Sequence, residues 1–515
     1  MHVSRPASQR RIASQPAKMV DQVVTIQVLP DDPLLLIFSF HQILSSPFYP
    51  PLTAQWEWRV LAHVCQRWRY LIFASPRHLW LRLVISNRTQ HGRETLECWP
   101  TFPISIWFRS QDTLLLRDED HVIEALKHSD RIYEIKLNIS SSMLARSTAW
   151  VNDSFPSLER LYLRSHHDVT VLPSTFLGGS IGIPRKLRHI GLSNVSFPTL
   201  PQLLLSSPNL VSLSLGLNHF DDAGSISTEA LTAALSTTIH LERLYVYPYP
   251  NISPGGAYPE ERRTFSPSST ENPIVLRALV TFEFGGSSAY LEDLVPRIDM
   301  PLLEQLSVSF YKRVFDIPQL SQFISRTKYL NSLPHRTSIT FPNEALTIRH
   351  CFRHPRPRRK PIHLSFSIID DYWLDIEWQA SQVIHACGQL SPFMSSVEWL
   401  GIRVESPRTR SFNETHTVRW LELFGSFKSV QDLQLWCLYD TGAIELAGAL
   451  ENSTKETAQN TEVLPVLRTL RIHGFQHHAD SASRIMAFVA ARELTGQPLT
   501  VLEESKWELE DGDTS

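Results

Sequence analysis

The chain has 515 residues, enough for two or more ordinary domains or for one small domain joined to a long repeat array. With 42% hydrophobic and 20% charged residues it is a folding chain rather than a disordered one, and a formal net charge of −3 argues against bulk attraction to nucleic acid or an anionic membrane. No apolar run reaches the roughly 18 residues that span a bilayer, and Cys65, Cys98, Cys351, Cys387 and Cys437 lie far apart without a C-x-x-C pair, signalling neither a zinc knuckle nor a disulfide framework. The expectation is a soluble protein with reduced thiols, in the cytoplasm, the nucleus or both.

The first twenty residues carry Arg, Lys and Ser but no acid, in the manner of a transit peptide. Pro6 and Pro16 interrupt any helix there and the apolar residues form no face, so residues 1–24 are expected to be a disordered tail. From Leu29 the run LPDDPLLLIFSFHQILS reads as a helix, with Asp31 and Asp32 at its start and Pro33 in the first turn, where a missing N–H costs nothing. The Pro-rich SSPFYPPLTAQ ends it. Leu61, Val64, Cys65, Trp68, Leu71 and Ile72 then recur at helical spacing, which predicts one stripe of a second helix, with Gln66, Arg67 and Arg69 on its other faces. Pro76 closes that helix, and Leu79 and Trp80 follow in a short turn before the β-like Leu81–Ile85. Residues 25–86 thus read as a short helical module and 87–130 as a connecting segment.

From about residue 131 an apolar triplet of the form L-x-x-L-x-L recurs. Its instances are Ile132/Ile135/Leu137, Leu158/Leu161/Leu163, Leu187/Ile190/Leu192, Leu210/Leu213/Leu215, Leu241/Leu244/Val246, Leu279/Phe282/Phe284, Leu303/Leu306/Val308, Val397/Leu400/Ile402, Val430/Leu433/Leu435 and Leu467/Leu470/Ile472. Their starts lie roughly 23 to 38 residues apart, except across Leu303 to Val397, and stretches such as TEALTAALSTT and SASRIMAFVAARELTG between them are helix-like. A repeated strand and helix predicts an irregular βα solenoid over 131–505, in which each unit buries its apolar face against the next. The irregular spacing keeps open an ordinary α/β domain with parallel strands. Insertions are expected near 248–273, rich in Pro, Gly and Ser, and near 330–361, which ends in RHCFRHPRPRRKP before a degenerate repeat at Ile362/Leu364/Phe366. Residues 506–515 read as a disordered acidic tail.

Leu29-Pro30 followed by Ile37-Phe38, then Val64-Cys65 with Trp68, then Leu79-Trp80, resembles the F-box family in the F-box-like form common among fungal proteins. That form reads approximately L-P-x-E-[LI]-[LI]-x-x-I-F, a spacer, V-C-[RK]-x-W and a terminal L-W. The resemblance covers about 55 residues and departs from the pattern at Asp32-Pro33 and in the lengthened spacer. It implies an α/β chain with a three-helix module that binds a Skp-type adaptor, and through it a cullin-RING ubiquitin ligase, followed by a leucine-rich-repeat array that recruits a protein substrate. The adaptor-binding positions it implies are Leu29, Pro30, Ile37, Phe38, Val64, Cys65, Trp68, Leu79 and Trp80. The alternative for most of them is the internal core of the module, with Leu29 and Pro30, at its edge, favouring the interface. Of leucine-rich repeats the array keeps the triplets but not the asparagine ladder: Asn218 stands in register, while the same position elsewhere holds His166, Val195, Tyr249 or Phe475.

Side chains alternate faces along a strand, so the residues between the buried triplet positions share the opposite face. Arg160, Tyr162, Arg164, Arg243, Tyr245, Tyr247, Trp399, Arg403, Gln434, Trp436, Arg471 and His473 fall there. Tyr, Trp and Arg dominate interface energetics, which makes this face a candidate substrate surface; the alternative is that each aromatic packs under a loop.

Signals for chemistry are weak. Neither G-x-S-x-G nor a phosphate-binding glycine loop occurs. His350 and His354 would share a face if their segment were helical, but prolines follow and arginines surround them, and His166, His167, His477 and His478 read as exposed loop residues. The basic run Arg353–Lys360 reads as a solvated loop, with a nuclear import signal as the alternative, and it lacks the stacking aromatics of nucleic-acid recognition. The reading is therefore an adaptor without catalytic residues, cofactor or metal; the alternative is a repeat-based scaffold or regulator unattached to any ligase.

Overall fold

A computed structural model describes residues 26–44, 60–75, 83–86, 102–107, 116–139, 154–165, 170–178, 184–217, 226–248, 273–311, 317–332, 334–342, 345–352, 361–369, 376–390, 394–405, 414–455, 463–474 and 479–503. The expected tails, the basic run 353–360, Leu79, Trp80, Asn218, the four loop histidines and most of the 248–273 insertion lie outside these residues. The chain divides into two units that meet between Arg82 and Leu83.

In the first unit the helix Asp31–Leu44 buries Leu34 and Phe38, one turn apart on one face. The predicted second helix is broken. Cys65 adopts an extended conformation (φ −158°, ψ 169°) and caps the helix Gln66–Ala74, its Sγ accepting the Trp68 N–H at 3.5 Å. Residues 60–64 form a separate helical turn before it. A thiol is a weak acceptor, but with it in the cap the stripe read across Val64 and Trp68 is not continuous. Trp68, Leu71 and Ile72 remain buried, whereas Val64 is 55% exposed.

The second unit is built on β1 (Leu83–Ser86), β2 (Ile104–Trp107), β3 (Ile132–Asn138), β4 (Arg160–Arg164), β5 (Thr170–Val171), β6 (His189–Ser193), β7 (Val195–Ser196), β8 (Ser212–Leu217), β9 (Arg243–Pro248), β10 (Ile274–Val275), β11 (Thr281–Gly286), β12 (Ile298–Asp299), β13 (Gln305–Tyr311), β14 (Arg336–Phe341), β15 (Ala345–Phe352), β16 (Ile362–Ile369), β17 (Trp399–Val404), β18 (Asp432–Cys437), β19 (Thr469–His473) and β20 (Thr500–Glu503). Sixteen of these form one open sheet in the order β1-β2-β3-β4-β6-β8-β9-β11-β13-β16-β15-β14-β17-β18-β19-β20. Every pairing in it is parallel except those of β15 with β14 and β16. The other four make two short parallel ribbons, β5 with β7 and β10 with β12. The fold is thus mixed α/β on a large, mostly parallel sheet.

All ten triplets are buried, and their second and third members align across the sheet into apolar ladders, as in Leu161–Ile190–Leu213–Leu244–Phe282–Leu306. The first member closes a tight turn before the strand: the N–H groups of Leu158, Leu187, Leu210, Leu241, Leu279, Leu303 and Leu467 each donate to the carbonyl three residues back. Just past that turn the backbone pairs with the preceding repeat, Glu159 to Tyr133, Arg188 to Glu159, Val211 to Arg188 and Glu242 to Val211. These polar groups are therefore satisfied by main chain, without an asparagine ladder.

Helices cover the apolar face and are stitched to one another. The Glu292 carboxylate accepts the Gln319 and Leu320 N–H groups (2.7 and 3.0 Å), capping the helix Pro318–Arg326 from a neighbouring helix. Arg297 pairs with Glu229 and Asp293 at 2.8 and 3.0 Å. Further along, Trp420 of the helix Glu414–Gly425 packs edge-on to Phe341 of β14, ring centroids 5.2 Å apart.

Two expectations are corrected by the sheet. Residues 87–130 are more than a connector, because β2 and the helix Leu116–Leu126 belong to the layered unit, which starts at β1 within the segment assigned to the helical module. The 330–361 stretch, expected as an insertion, interrupts the run of parallel strands but stays within the sheet, supplying β14 and β15. With β16 these form an antiparallel block that occupies the space between β13 and β17. Its buried row contains a polar pair, Thr337 and His350, bonded at 2.8 Å where the flanking strands place Leu364 and Leu400. His350 lies in a strand, so the helical pairing of His350 with a residue four positions on does not arise.

Candidate interaction surfaces

The first unit has apolar residues on two faces. Opposite the buried Leu34 and Phe38, the same helix exposes Leu36, Ile37 and Phe40 by 60, 43 and 61%. Val60, Val64 and Tyr70 are also exposed. Of the nineteen large apolar residues left exposed among the described residues, eight lie between Ile26 and Tyr70, which concentrates them in the smaller unit.

The nine positions implied by resemblance accordingly separate. Phe38 and Trp68 form the internal core, their rings edge-to-face at 4.8 Å. Pro30, Ile37 and Val64 face outward, Leu29 and Cys65 are half-buried, and Leu79 and Trp80 are outside the described residues. Arg67 does what the sequence did not suggest: its guanidinium donates to the Leu29 carbonyl and to Asp31 Oδ1, both at 2.6 Å, tying the entry of the first helix to the second. The signal was an acid in the first turn of one helix and a cation in the next.

In the second unit the twelve substrate-surface candidates all lie on one face of the sheet, in three rows set by strand register. The first runs Glu134–Arg160–His189–Ser212–Arg243–Thr281–Gln305–His363–Cys351–Arg336–Trp399–Asp432–Thr469. The second carries Lys136, Tyr162, Gly191, Ser214, Tyr245 and Glu283 and, at the far end, Gly401, Gln434 and Arg471. The third carries Arg164, Ser193, Gly216 and Tyr247, then Arg403, Trp436 and His473.

The two ends of this face are built differently. Towards β20 the aromatics and cations engage each other: Arg336 lies 4.4 Å over Trp399, Arg403 lies 5.4 Å from the Trp436 ring and pairs with Glu405, and Trp436 stacks on His473 at 3.7 Å. Towards β1, Tyr247 donates to Glu283 at 2.5 Å, Glu134 accepts from Ser105 at 2.7 Å, and Lys136 sits over Trp107 and Tyr162. Arg164 and Arg243 enter no ion pair among the described residues.

The field at this end is positive. His189 is pushed down to about 4, by burial first and then by Arg160, Arg243 and Arg188. Burial raises the Tyr162 and Tyr245 hydroxyls, with Glu283 adding to the rise at Tyr245. Lys136 occupies the same place in its triplet as Tyr162 and was legible on that ground. Trp107 and Arg336 were not, since their strands were not read from the sequence.

Among the described residues no cluster of three or more His, Cys, Asp or Glu side chains could hold a metal ion, and no helix is long and apolar enough to cross a membrane. No protein-family model matches the chain, and no curated protein matches it either. The surfaces themselves therefore carry the functional reading.

Proposed function

We propose that the chain is an F-box-type adaptor: its first unit docks on a Skp-type protein of a cullin-RING ubiquitin ligase, and the polar face of its sheet, read as a leucine-rich-repeat-like solenoid, holds a protein for ubiquitination. The observation that carries this is the set of apolar residues that the first unit leaves exposed. Leu36, Ile37, Phe40 and Val64 stand exposed beside a core as small as Leu34, Phe38, Trp68, Leu71 and Ile72, so a partner's apolar surface would complete the unit. The F-box resemblance supplies the identity of that partner, and the Arg67 clamp holds Leu29 and Pro30, the two edge positions of the motif, on the same helix pair. In this role the chain performs no bond chemistry of its own; it raises the effective concentration of a target near the ligase.

Co-purification of the full chain with a Skp-type adaptor tests the reading. Because Ile37 and Val64 are exposed, Ile37→Glu with Val64→Glu is expected to abolish adaptor binding while leaving the far-ultraviolet circular dichroism unchanged. A chain that never binds the adaptor, or a double variant that binds as well as the parent, would overturn the proposal.

A further inference from the structure

Between β4 and β9 the polar face forms a trough. Its floor is β6 and β8, whose outward side chains beyond His189 are Gly191, Ser193, Ser212, Ser214 and Gly216. One wall is Arg160, Tyr162 and Arg164; the other is Arg243, Tyr245 and Tyr247. The floor is kept small from within: the Tyr162 ring leans over Gly191, with Cδ1 2.5 Å from where a Cβ would stand, so any larger residue there would displace the tyrosine. Three strand spacings separate the walls, about 14 Å between Cα rows.

From this geometry and charge we propose that the trough receives an acidic segment of the recruited protein, its Asp and Glu carboxylates meeting Arg160 and Arg243, with Arg164 beside them. This rests on the proposed function only in that the polar face receives a protein. The outward positions of these four strands carry three arginines and no acid; Glu134 and Glu283 stand on the strands that flank them and accept from the Ser105 and Tyr247 hydroxyls. His189 on the floor is disfavoured as a cation, by burial first and then by the same arginines, so the positive field is not supplied by a titrating group at neutral pH. In an extended segment, acids about four residues apart span about 13 Å, matching the wall separation.

The arrangement disfavours other anions. Nucleic acid presents an unbroken row of phosphates, whereas Arg160 and Arg243 are separated in their row by His189 and Ser212, with no cation between them. A phosphorylated side chain, nearly dianionic, is best held by converging cations, whereas Arg160 and Arg243 stand on opposite walls, each suited to one carboxylate.

The test is to pan a displayed library of random dodecapeptides against the full chain and measure the selected peptides by fluorescence anisotropy, alongside an unstructured oligoribonucleotide. The expected result is enrichment of sequences with two acids about four residues apart, whose affinity falls about tenfold or more in Arg160→Glu/Arg243→Glu. Arg349→Glu, exposed on β15 of the same sheet, should leave it unchanged. Enrichment without acidic bias, equal loss in Arg349→Glu, or preferential binding of the RNA would overturn the inference. The Arg160→Glu/Arg243→Glu chain should still co-purify with the Skp-type adaptor, so failure of the trough and failure of the adaptor reading give different results.

Discussion

The two units use apolar residues in opposite ways. In the sheet unit, apolar side chains enter ladders shared with the next strand, and residues such as Leu244, Phe282, Leu400 and Leu433 are wholly buried. In the helical unit each helix has one apolar stripe for the other helix and further apolar residues facing outward. A repeat array can add neighbours until its apolar face is covered, whereas the short helices described in the first unit cannot. Among the described residues, Leu36 and Phe40 are thus left exposed where the sheet unit buries their counterparts, which is the contrast that the proposed adaptor docking rests on.

The sharpest way to break this contrast is to compare truncations. Leu244→Ala should cost about 3 to 5 kcal/mol by denaturant unfolding, since it removes one member of a ladder packed on both sides. Leu36→Ala should shift unfolding by about 0.5 kcal/mol or less and show its effect only in adaptor binding. Equal costs would mean that the exposed stripe is structural after all.

Next in size is Gly474→Ala, expected to cost about 2 kcal/mol or more. Gly474 has φ +83°, and a Cβ there would fall on the Cys437 carbonyl oxygen. Asn194 takes the equivalent place after β6, with φ 55°, and its side-chain amide donates to the Ser165 carbonyl at 3.1 Å. Asn194→Gly should cost only about 1 kcal/mol, for the lost bond, and thermal melts of the two variants measure the difference.

Acid should act on the sheet unit through His350, which burial pushes down to about 3. A histidine depressed in the folded state leaves the unfolded state binding more protons below pH 6.5, so stability is complete above that value and declines as pH falls towards the folded pKa. By pH 5 the loss should reach about 2 kcal/mol, with His189 adding in the same direction, and His350→Gln should flatten the dependence of the urea midpoint on pH. A midpoint that does not fall with acid would place His350 in a wetter environment than its buried row implies.

A small effect is expected of Arg67→Met. Its ion pair with Asp31 is substantially exposed, so the stability change should be about 0.5 to 1 kcal/mol. Adaptor affinity should fall further than that stability change alone would cause, because Leu29 loses its tether, and titration calorimetry would separate the two.

The triplets were legible because burial on one face of a parallel strand imposes a simple apolar pattern, and the outward rows followed from alternation alone, so the twelve candidates fell on one face. The antiparallel block was hidden for the converse reason: RTSITF and ALTIRHCF place Thr337 and His350, hydrogen-bonded to each other, where other strands have Leu. β2 escaped because ISIW is too short to show a period. The broken second helix was missed because its apolar spacing runs straight through Cys65.

By itself, the sequence determined which residues are apolar and at what period, and therefore the two textures of the chain and the residue types on the polar face. Only the tertiary structure decided which of those residues meet. Register across strands far apart in sequence sets Arg160 and Arg243 on opposite walls of one trough, and the packing of two helices leaves Ile37 outside while taking Phe38 in. Periodicity is a local property of the chain, whereas neighbours across a sheet or between helices are fixed by how the whole buries its apolar surface.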